Sequence, residues 1–586
     1  MEFISHGRTL VAGDAKGELL SALVGLSFWG GVDPQTGVVI DQHHPLRNQS
    51  LAGRVLAIPS GRGSCSGSGV LLELILNGHA PAAIVICERE EILTLGALVA
   101  EVVFEQSIPV LRVEREVFTR LGEYRYARVA GPSLQLFHEP PVKDWQPEQA
   151  QHESSEYMTI RLDAVDQAFV SGQHGKAAQV AMRLLLRMAA VQEAEAFMDV
   201  SQVHIDGCIY TGPASLRFAQ MLVDWEARVR VPTTLNSISV DKRRWRAQGV
   251  LEDLGAPASA LADAYLAMGA QPSFTCAPYL LESAPRFGEQ VGWAESNAVI
   301  YANSVIGART MKYPDYLDIC MALTGRAPLA GCHLDAGRRA TLALEVEMPE
   351  GADDAFWPLL GYCCGSVCGT EIPLIRGLEK SGAGPNELKA FGAAFATVAA
   401  APMFHIAGVT PEADDQRSEH QVRISLGELR QAWEVLNTAA SPEVGLVSLG
   451  NPHFSLEECA RLAALVRGRT KSADVAVIVT CGRAVHEAAF QAGHVAEAEA
   501  FGVQFVTDTC WCMLDEPVIP PAVRTLMTNS GKYAHYAPGL VGRGVRFGSM
   551  AACVEAACSG KGQHELPAWL GQGRSEKALV LSQRPV

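Results

Sequence analysis

The sequence has no apolar run of the roughly 18 residues that a membrane-spanning helix requires, so no bilayer is expected around it. Basic charge is in short supply: 48 Lys and Arg face 64 Asp and Glu, a formal balance of -16. Nucleic-acid binders need the opposite balance to neutralise phosphates, so no nucleic-acid partner is expected. Residues 1–30 mix Glu2, Arg8, Asp14, Lys16 and Glu18 into modest apolar stretches, which fits neither a secretory signal nor a transit peptide. A cytoplasmic location is the expectation. No tract is of low complexity, and 48% hydrophobic with 19% charged residues is the composition of a folded globular protein. There is no Lys-Ser/Thr behind the glycine-rich stretches, no ferredoxin-type C-x2-C-x2-C run and no paired C-x2-C of zinc sites. Nucleotide-binding P-loops, ferredoxin-type centres and zinc fingers are therefore disfavoured.

Fifteen cysteines are present, and a cytosolic chain would keep them reduced. Cys87, Cys208, Cys320, Cys332, Cys459, Cys553 and Cys558 stand alone in apolar or helical surroundings and read as small core residues. The length of 586 residues exceeds what one core supports, so two or three domains are expected. Up to about residue 140, short β-rich runs (55–58, 83–87, 110–113) alternate with helical patterns (69–77, 93–104), the texture of a small α/β domain. A polar, proline-bearing stretch over 138–155 reads as a linker. A second α/β part follows, with a helix from Lys176 and a strand over 197–205. Its further strands, 443–449, 475–480 and 503–507, stop at Gly450-Asn451-Pro452-His453, Cys481-Gly482-Arg483 and Asp508-Thr509-Cys510. Ligand sites of open α/β sheets gather at the carboxyl ends of strands, so these three turns are expected to share one crevice.

The loop Gly61-Arg62-Gly63-Ser64-Cys65-Ser66-Gly67-Ser68-Gly69 lies between a strand and a helix. Backbone N–H groups and the positive helix end favour an anion there, although a plain Gly/Ser turn looks the same in sequence. Cys276 and Cys510 follow β-rich residues, Cys363, Cys364 and Cys368 cluster between glycines, and Cys481 ends a strand. Thiolates gathered from distant turns can hold an iron–sulfur cluster with an iron left open to substrate. Equally, Cys510 and Cys512 can alternate across a strand, and Cys363 to Cys368 can fill a glycine-rich helix contact. Glu295-Ser296-Asn297-Ala298, the segment Tyr301 to Lys312 with Asn303, Ser304, Arg309 and Lys312, Thr233-Thr234-Leu235-Asn236-Ser237 and Thr528-Asn529-Ser530-Gly531-Lys532-Tyr533 suit a small polar anion, or ordinary caps and turns.

Together these segments resemble the aconitase X family over nearly the whole chain and in its order: GRGSCSGSG (61–69), HIDG (204–207), PTTLNS (232–237), TCAPYL (275–280), ESNAV (295–299), YANSVIGART (301–310), GNPHFS (450–455), TDTC (507–510) and TNSGKYAHY (528–536). The resemblance implies a small swivelling α/β domain (1–145), a linker (146–158) and a large multi-layer α/β catalytic domain of aconitase-like type (159–586). It implies a hydro-lyase in which a swivel-domain serine, matched by Ser64, removes a carbon-bound proton and iron accepts the leaving hydroxide. The fused form resembles dehydratases of cis-3-hydroxy-L-proline with a [2Fe–2S] centre, the product being Δ1-pyrroline-2-carboxylate and the partner a small amino acid. The two-subunit archaeal form dehydrates mevalonate 5-phosphate, the alternative substrate, and a non-enzymatic iron–sulfur sensor is a third reading. Cys276 and Cys510 match the family's cluster ligands. Asn451 stands where the archaeal form has a ligand cysteine, so a third ligand must come from elsewhere: Cys364, with Cys481 as the alternative and Cys363 and Cys65 also open. His204, Asp206, Asn236, Ser237, Asn297, Asn303, Ser304, Arg309 and Lys532 are the candidates for holding substrate.

Overall fold

The computed structural model describes residues 3–140, 160–562 and 565–571; the expected linker, 146–158, lies outside the described residues. The first unit is built on one eight-stranded sheet. Its centre is parallel, with Asp14–Ser21, Val55–Ala57, Ala83–Ile86 and Val110–Arg112 side by side, and its rim is antiparallel. Parallel strands are covered on both faces and therefore read as unbroken apolar runs. Alternation along them sends Leu56, Ile84 and Ile86 towards the helices Gly67–Asn77 and Ile92–Phe104. Val55, Ala57, Ala83 and Val85 face the other way, against Ala127, Val129, Leu134 and Leu136.

The core on the helix side does not stop at the edge of this unit. Leu71, Leu98 and Val99 share it with Leu184, Met188 and Phe218 of the second part. Helix Ile92–Phe104 packs on Lys176–Val191, and Gly67–Asn77 packs on Pro213–Asp224. The small unit is thus seated by burial of apolar surface, the dominant favourable term in association.

The second part carries a three-stranded, a four-stranded and a five-stranded sheet, all parallel. The segment 197–205, expected as one strand, is two. Phe197–Asp199 pairs with Arg326–Pro328, while Val203–Ile205 lies between Thr233–Leu235 and Gly292–Trp293. Asp199 is held by Arg326 at 2.7 Å, and Val200 and Ser201 turn their N–H groups to Gly325 and Gln290, so the chain changes partners between the two. Residues 450–453, expected as a turn, lie inside the strand Leu446–Phe454. Among the described residues no helix is long and apolar enough to cross a membrane.

Candidate active site

Ser64 sits between strand Val55–Ala57 and helix Gly67–Asn77 and is 5% exposed. Gly63 precedes it at φ +80; a Cβ there would lie 2.6 Å from the Ser27 hydroxyl and 3.0 Å from the Tyr536 hydroxyl. Only glycine allows the loop so close to the second part. The Ser66 N–H donates to Ser64 Oγ at 3.3 Å, and the Ser64 hydroxyl donates to Ser66 Oγ at 3.3 Å. Ser68 pins the loop by donating to the carbonyls of Cys65 and Asp315, at 3.1 and 3.2 Å.

From Ser66 a buried polar network runs into the second part. Ser66 Oγ donates to Asp206 Oδ2 at 3.2 Å, and Asn236 donates to the other oxygen of Asp206 in a very short contact. The same Asn236 amide reaches Glu295 Oε2 at 3.4 Å. Glu295 accepts from Lys532 Nζ at 2.8 Å and from the side-chain amide of Asn297. Asn297 in turn donates to the Cys276 carbonyl at 3.0 Å and accepts from Tyr279 at 2.8 Å. Glu295 reaches all of these from a left-handed backbone, φ +51, at the N-terminus of helix Ser296–Tyr301. Burial and the Glu295 carboxylate push Asp206 up to about 8. Asp318 is lifted to about 6 by burial, against the backbone N–H groups that bind it.

At the far end of the network lie three thiols. Cys510 hydrogen-bonds both Cys276 and Cys512, which together hold its thiol well below the usual cysteine range. The His453 N–H donates to Cys276 Sγ at 3.3 Å, the Asn451 amide to Cys512 Sγ at 3.2 Å, and His453 Nε2 meets the Thr509 carbonyl at 2.8 Å. The segments 450–453, 481–483 and 508–510 do converge: Arg483 grips Asp508, and Gly482 lies against Thr275 and His453. Among the described residues no group of three or more His, Cys, Asp or Glu side chains is arranged ready-made around a metal ion. The donor chemistry fits an iron–sulfur cluster nonetheless, since three buried free thiols, two of them hydrogen-bonded to the third, are the donors such clusters take.

The other expected residues are placed as follows. Cys364 lies in helix Phe356–Cys368, where its thiol neighbours are Cys363 and Cys368 of the same helix. Gly361 and Gly365 of that helix touch the backbone of Phe391 and Phe395, with a Cβ 2.2 and 2.7 Å from their carbonyls, so the glycine-rich cysteine motif serves a close helix crossing. Cys481 turns into an apolar core beside Cys459. His204 is fully buried against Trp293 and bonded to Thr234 at 2.8 Å. Ser237 donates to its neighbour Asn236. Asn303, Ser304 and Arg309 are engaged with Thr310, Phe404 and Asp335, holding loops outside the network. Asp206, Asn236, Asn297 and Lys532 are in it.

Three residues, Cys512, Glu295 and Arg62, were given no role in the sequence, whereas Lys312 was a candidate cation. Cys512 reads as a strand neighbour of Cys510, yet Trp511–Met513 is a tight helical turn that brings both thiols together. Glu295 lay unremarked in its motif. Lys312 and Arg62 line a cavity of about 360 Å³ with Gly61, Gly63, Met311 and Cys332, a volume suited to a small ligand. Lys312 donates to the carbonyls of Ala396 and Ala399, and burial lowers it to about 8.

Fold and site together define an aconitase-like enzyme in two parts, a swivel domain followed by a larger catalytic body. Family models described as the aconitase X swivel, first, second and third domains match residues 4–136, 159–336, 340–434 and 444–559. The chain belongs to the aconitase X family. It is 58% identical over 573 residues to the cis-3-hydroxy-L-proline dehydratase of Pseudomonas aeruginosa, covering 96% of this chain and 98% of that relative. It is 54% identical over 580 residues to the enzyme of the same name from Hypocrea jecorina, covering 96% and 97%. The solved holo-form of Thermococcus kodakaraensis aconitase X superposes with a TM-score of 0.62 at 27% identity, covering 68% of this chain and all of that one. The chain is accordingly a dehydratase, a hydro-lyase, of a family whose aconitase-like character points to an iron–sulfur cluster.

Proposed function

We propose that this enzyme eliminates water from cis-3-hydroxy-L-proline to give Δ1-pyrroline-2-carboxylate, with Ser64 as the base and a [2Fe–2S] cluster held by Cys276, Cys510 and Cys512. One observation carries the reading: a single buried polar network runs from the Ser64 hydroxyl of the small domain to the backbone carbonyl of Cys276, whose thiol lies beside those of Cys510 and Cys512 in the large one. The names of the two near-full-length relatives support the substrate.

The proton at C2 is weakly acidic, and hydroxide at C3 leaves poorly, so each needs its own partner. Ser64, with the Ser66 N–H ready to stabilise its oxygen as an anion, takes the C2 proton. A bound cluster supplies Lewis acidity to the departing hydroxide. Arg62 and Lys312, which line the same cavity, present positive charge to the substrate carboxylate. The deep seating of Ser64 keeps bulk water from the carbanion-like transition state. The resulting enamine tautomerises to the imine without further help from the protein.

Incubating iron-reconstituted protein under argon with cis-3-hydroxy-L-proline, and separately with mevalonate 5-phosphate, tests the substrate. Pyrroline-2-carboxylate is expected from the first and nothing from the second; turnover of the phosphate ester alone would overturn the proposal.

A further inference from the structure

A serine hydroxyl is a poor base until its own proton has somewhere to go, and enzymes that use one set a general base beside it. No histidine or lysine hydrogen-bonds Ser64 among the described residues. Its hydroxyl donates to Ser66 Oγ, and the Ser66 hydroxyl donates to Asp206 Oδ2, across the boundary between the domains. Ser66 occupies the first cap position of helix Gly67–Asn77, yet its side chain makes no cap hydrogen bond. The hydroxyl is thus not spent on the helix, where serines at that position usually are. Both Ser66 and Asp206 are fully buried.

We propose that Ser64, Ser66 and Asp206 form a proton relay in which Asp206 is the terminal acceptor, an inference that rests on Ser64 being the base. As the C2–H bond breaks, its proton passes to Ser64 Oγ, the Ser64 proton to Ser66 Oγ and the Ser66 proton to Asp206 Oδ2. The electron pair of the C2–H bond forms the ring double bond, and the C3–O pair leaves with hydroxide. The proton now on Asp206 returns along the chain to that hydroxide and completes the water, so the enzyme ends in its starting form and no other reactant is needed.

The surroundings of Asp206 support the role. It is faced by the carboxyl groups of Glu295, Asp315 and Asp318, by the thiols of Cys65 and Cys208 and by the Asn236 amide, with the Lys312 ammonium beyond Cys65. Asp315 hydrogen-bonds both Asp206 and Ser66. Neighbouring carboxyls buried together cannot all ionise, and one is left a stronger base than a free carboxylate. A purely structural interface bond would have no use for that arrangement.

The test is the pH profile of kcat for Ser66→Ala and Asp206→Asn on the iron-loaded full chain. Each is expected to lower kcat about 100-fold, to leave KM within about threefold, and to remove the limb that rises towards pH 8. The double variant is expected to lose no more than either single one, because the two act as a unit. A kcat within about threefold of the parent with the same limb, in either variant, would overturn the relay. If Asp206→Asn does not fold, Ser66→Ala decides alone, since its hydroxyl bonds no helix N–H at the cap. Ser64→Ala separates the two readings: full activity in it would defeat the base itself, whereas an inactive Ser64→Ala beside an active Ser66→Ala would defeat only the relay.

Discussion

At the scale of single residues, the thiols give the clearest expectation. Cys512→Ser should abolish the iron and acid-labile sulfide of the reconstituted protein along with its visible absorbance, whereas Cys364→Ser and Cys481→Ser should retain all three. Metal analysis with absorbance spectra decides it; a cluster that survives loss of Cys512 removes that residue from the ligand set. Ser64, Cys276 and Cys510 were singled out by the family resemblance of GRGSCSGSG, TCAPYL and TDTC, and each stands in a loop between regular elements, where side chains can meet from afar. Clustered cysteines made Cys364 a ligand candidate, while the neighbouring glycines allowed the other reading, a helix contact, and that is the contact they make. Glu295 was illegible for a different reason. Its role depends on a left-handed φ, a backbone state a glutamate rarely adopts and local residue types do not announce.

At the scale of elements, the ends of helices hold the domains together. Arg8 and Arg89 of the small domain donate to the carbonyls of Ala190 and Gln192, both at 2.9 Å, at the C-terminus of helix Lys176–Val191. Glu73, from the helix that starts behind Ser64, accepts from the Ala214 N–H at 2.8 Å at the N-terminus of helix Pro213–Asp224. Cations on a C-terminus and a carboxylate on an N-terminus both match the helix dipole, each worth roughly 0.3–1 kcal/mol and more when partly buried. Glu73→Ala should therefore speed amide exchange at Ala214 and lower kcat about tenfold by loosening the loop that carries Ser64, a loss of the size that small misplacements of reacting groups cause. Mass-spectrometric exchange beside steady-state kinetics checks both; unchanged exchange would show that Glu73 holds nothing. The strands over 55–58, 83–87 and 110–113 and both helices behind them were legible from apolar runs and periodicity. Docking was not, because Glu73 reads as one polar residue on an apolar helix until its partner is known.

At the scale of the whole molecule, buried acids and histidines set the pH response in opposite directions. Asp206, held up to about 8 by burial and Glu295, and Asp315, raised by burial and Asp206, bind protons in the folded chain that the unfolded chain releases near pH 4. Their contribution is full below that point and is lost as pH rises towards 8. His204, His333 and His535, each lowered to about 3 by burial, act in the contrary sense: their contribution is complete above about pH 6.5 and fades as pH falls below it. The two sets offset each other in mild acid, but above pH 6.5 the histidines have stopped changing while the acids have not. The thermal midpoint should therefore decline from pH 6.5 to 8, and Asp206→Asn should flatten that decline by up to about 1.4 kcal/mol per pH unit. Calorimetric scans across that range would show it; an identical slope in the variant would mean Asp206 is already ionised. The two-part α/β plan was readable from the sequence, whereas the continuity of one core across both parts was not, because it depends on which helices face each other.

Ser64 and Cys510 also belong to one polypeptide, and the small domain is seated on the large one by a shared core. Their meeting is therefore a unimolecular event governed by effective concentration, not by how much protein is in solution. The pairing of Ser64 with the thiols does not loosen on dilution, no surplus of one half can go idle, and every chain made carries one Ser64 for each set of three thiols.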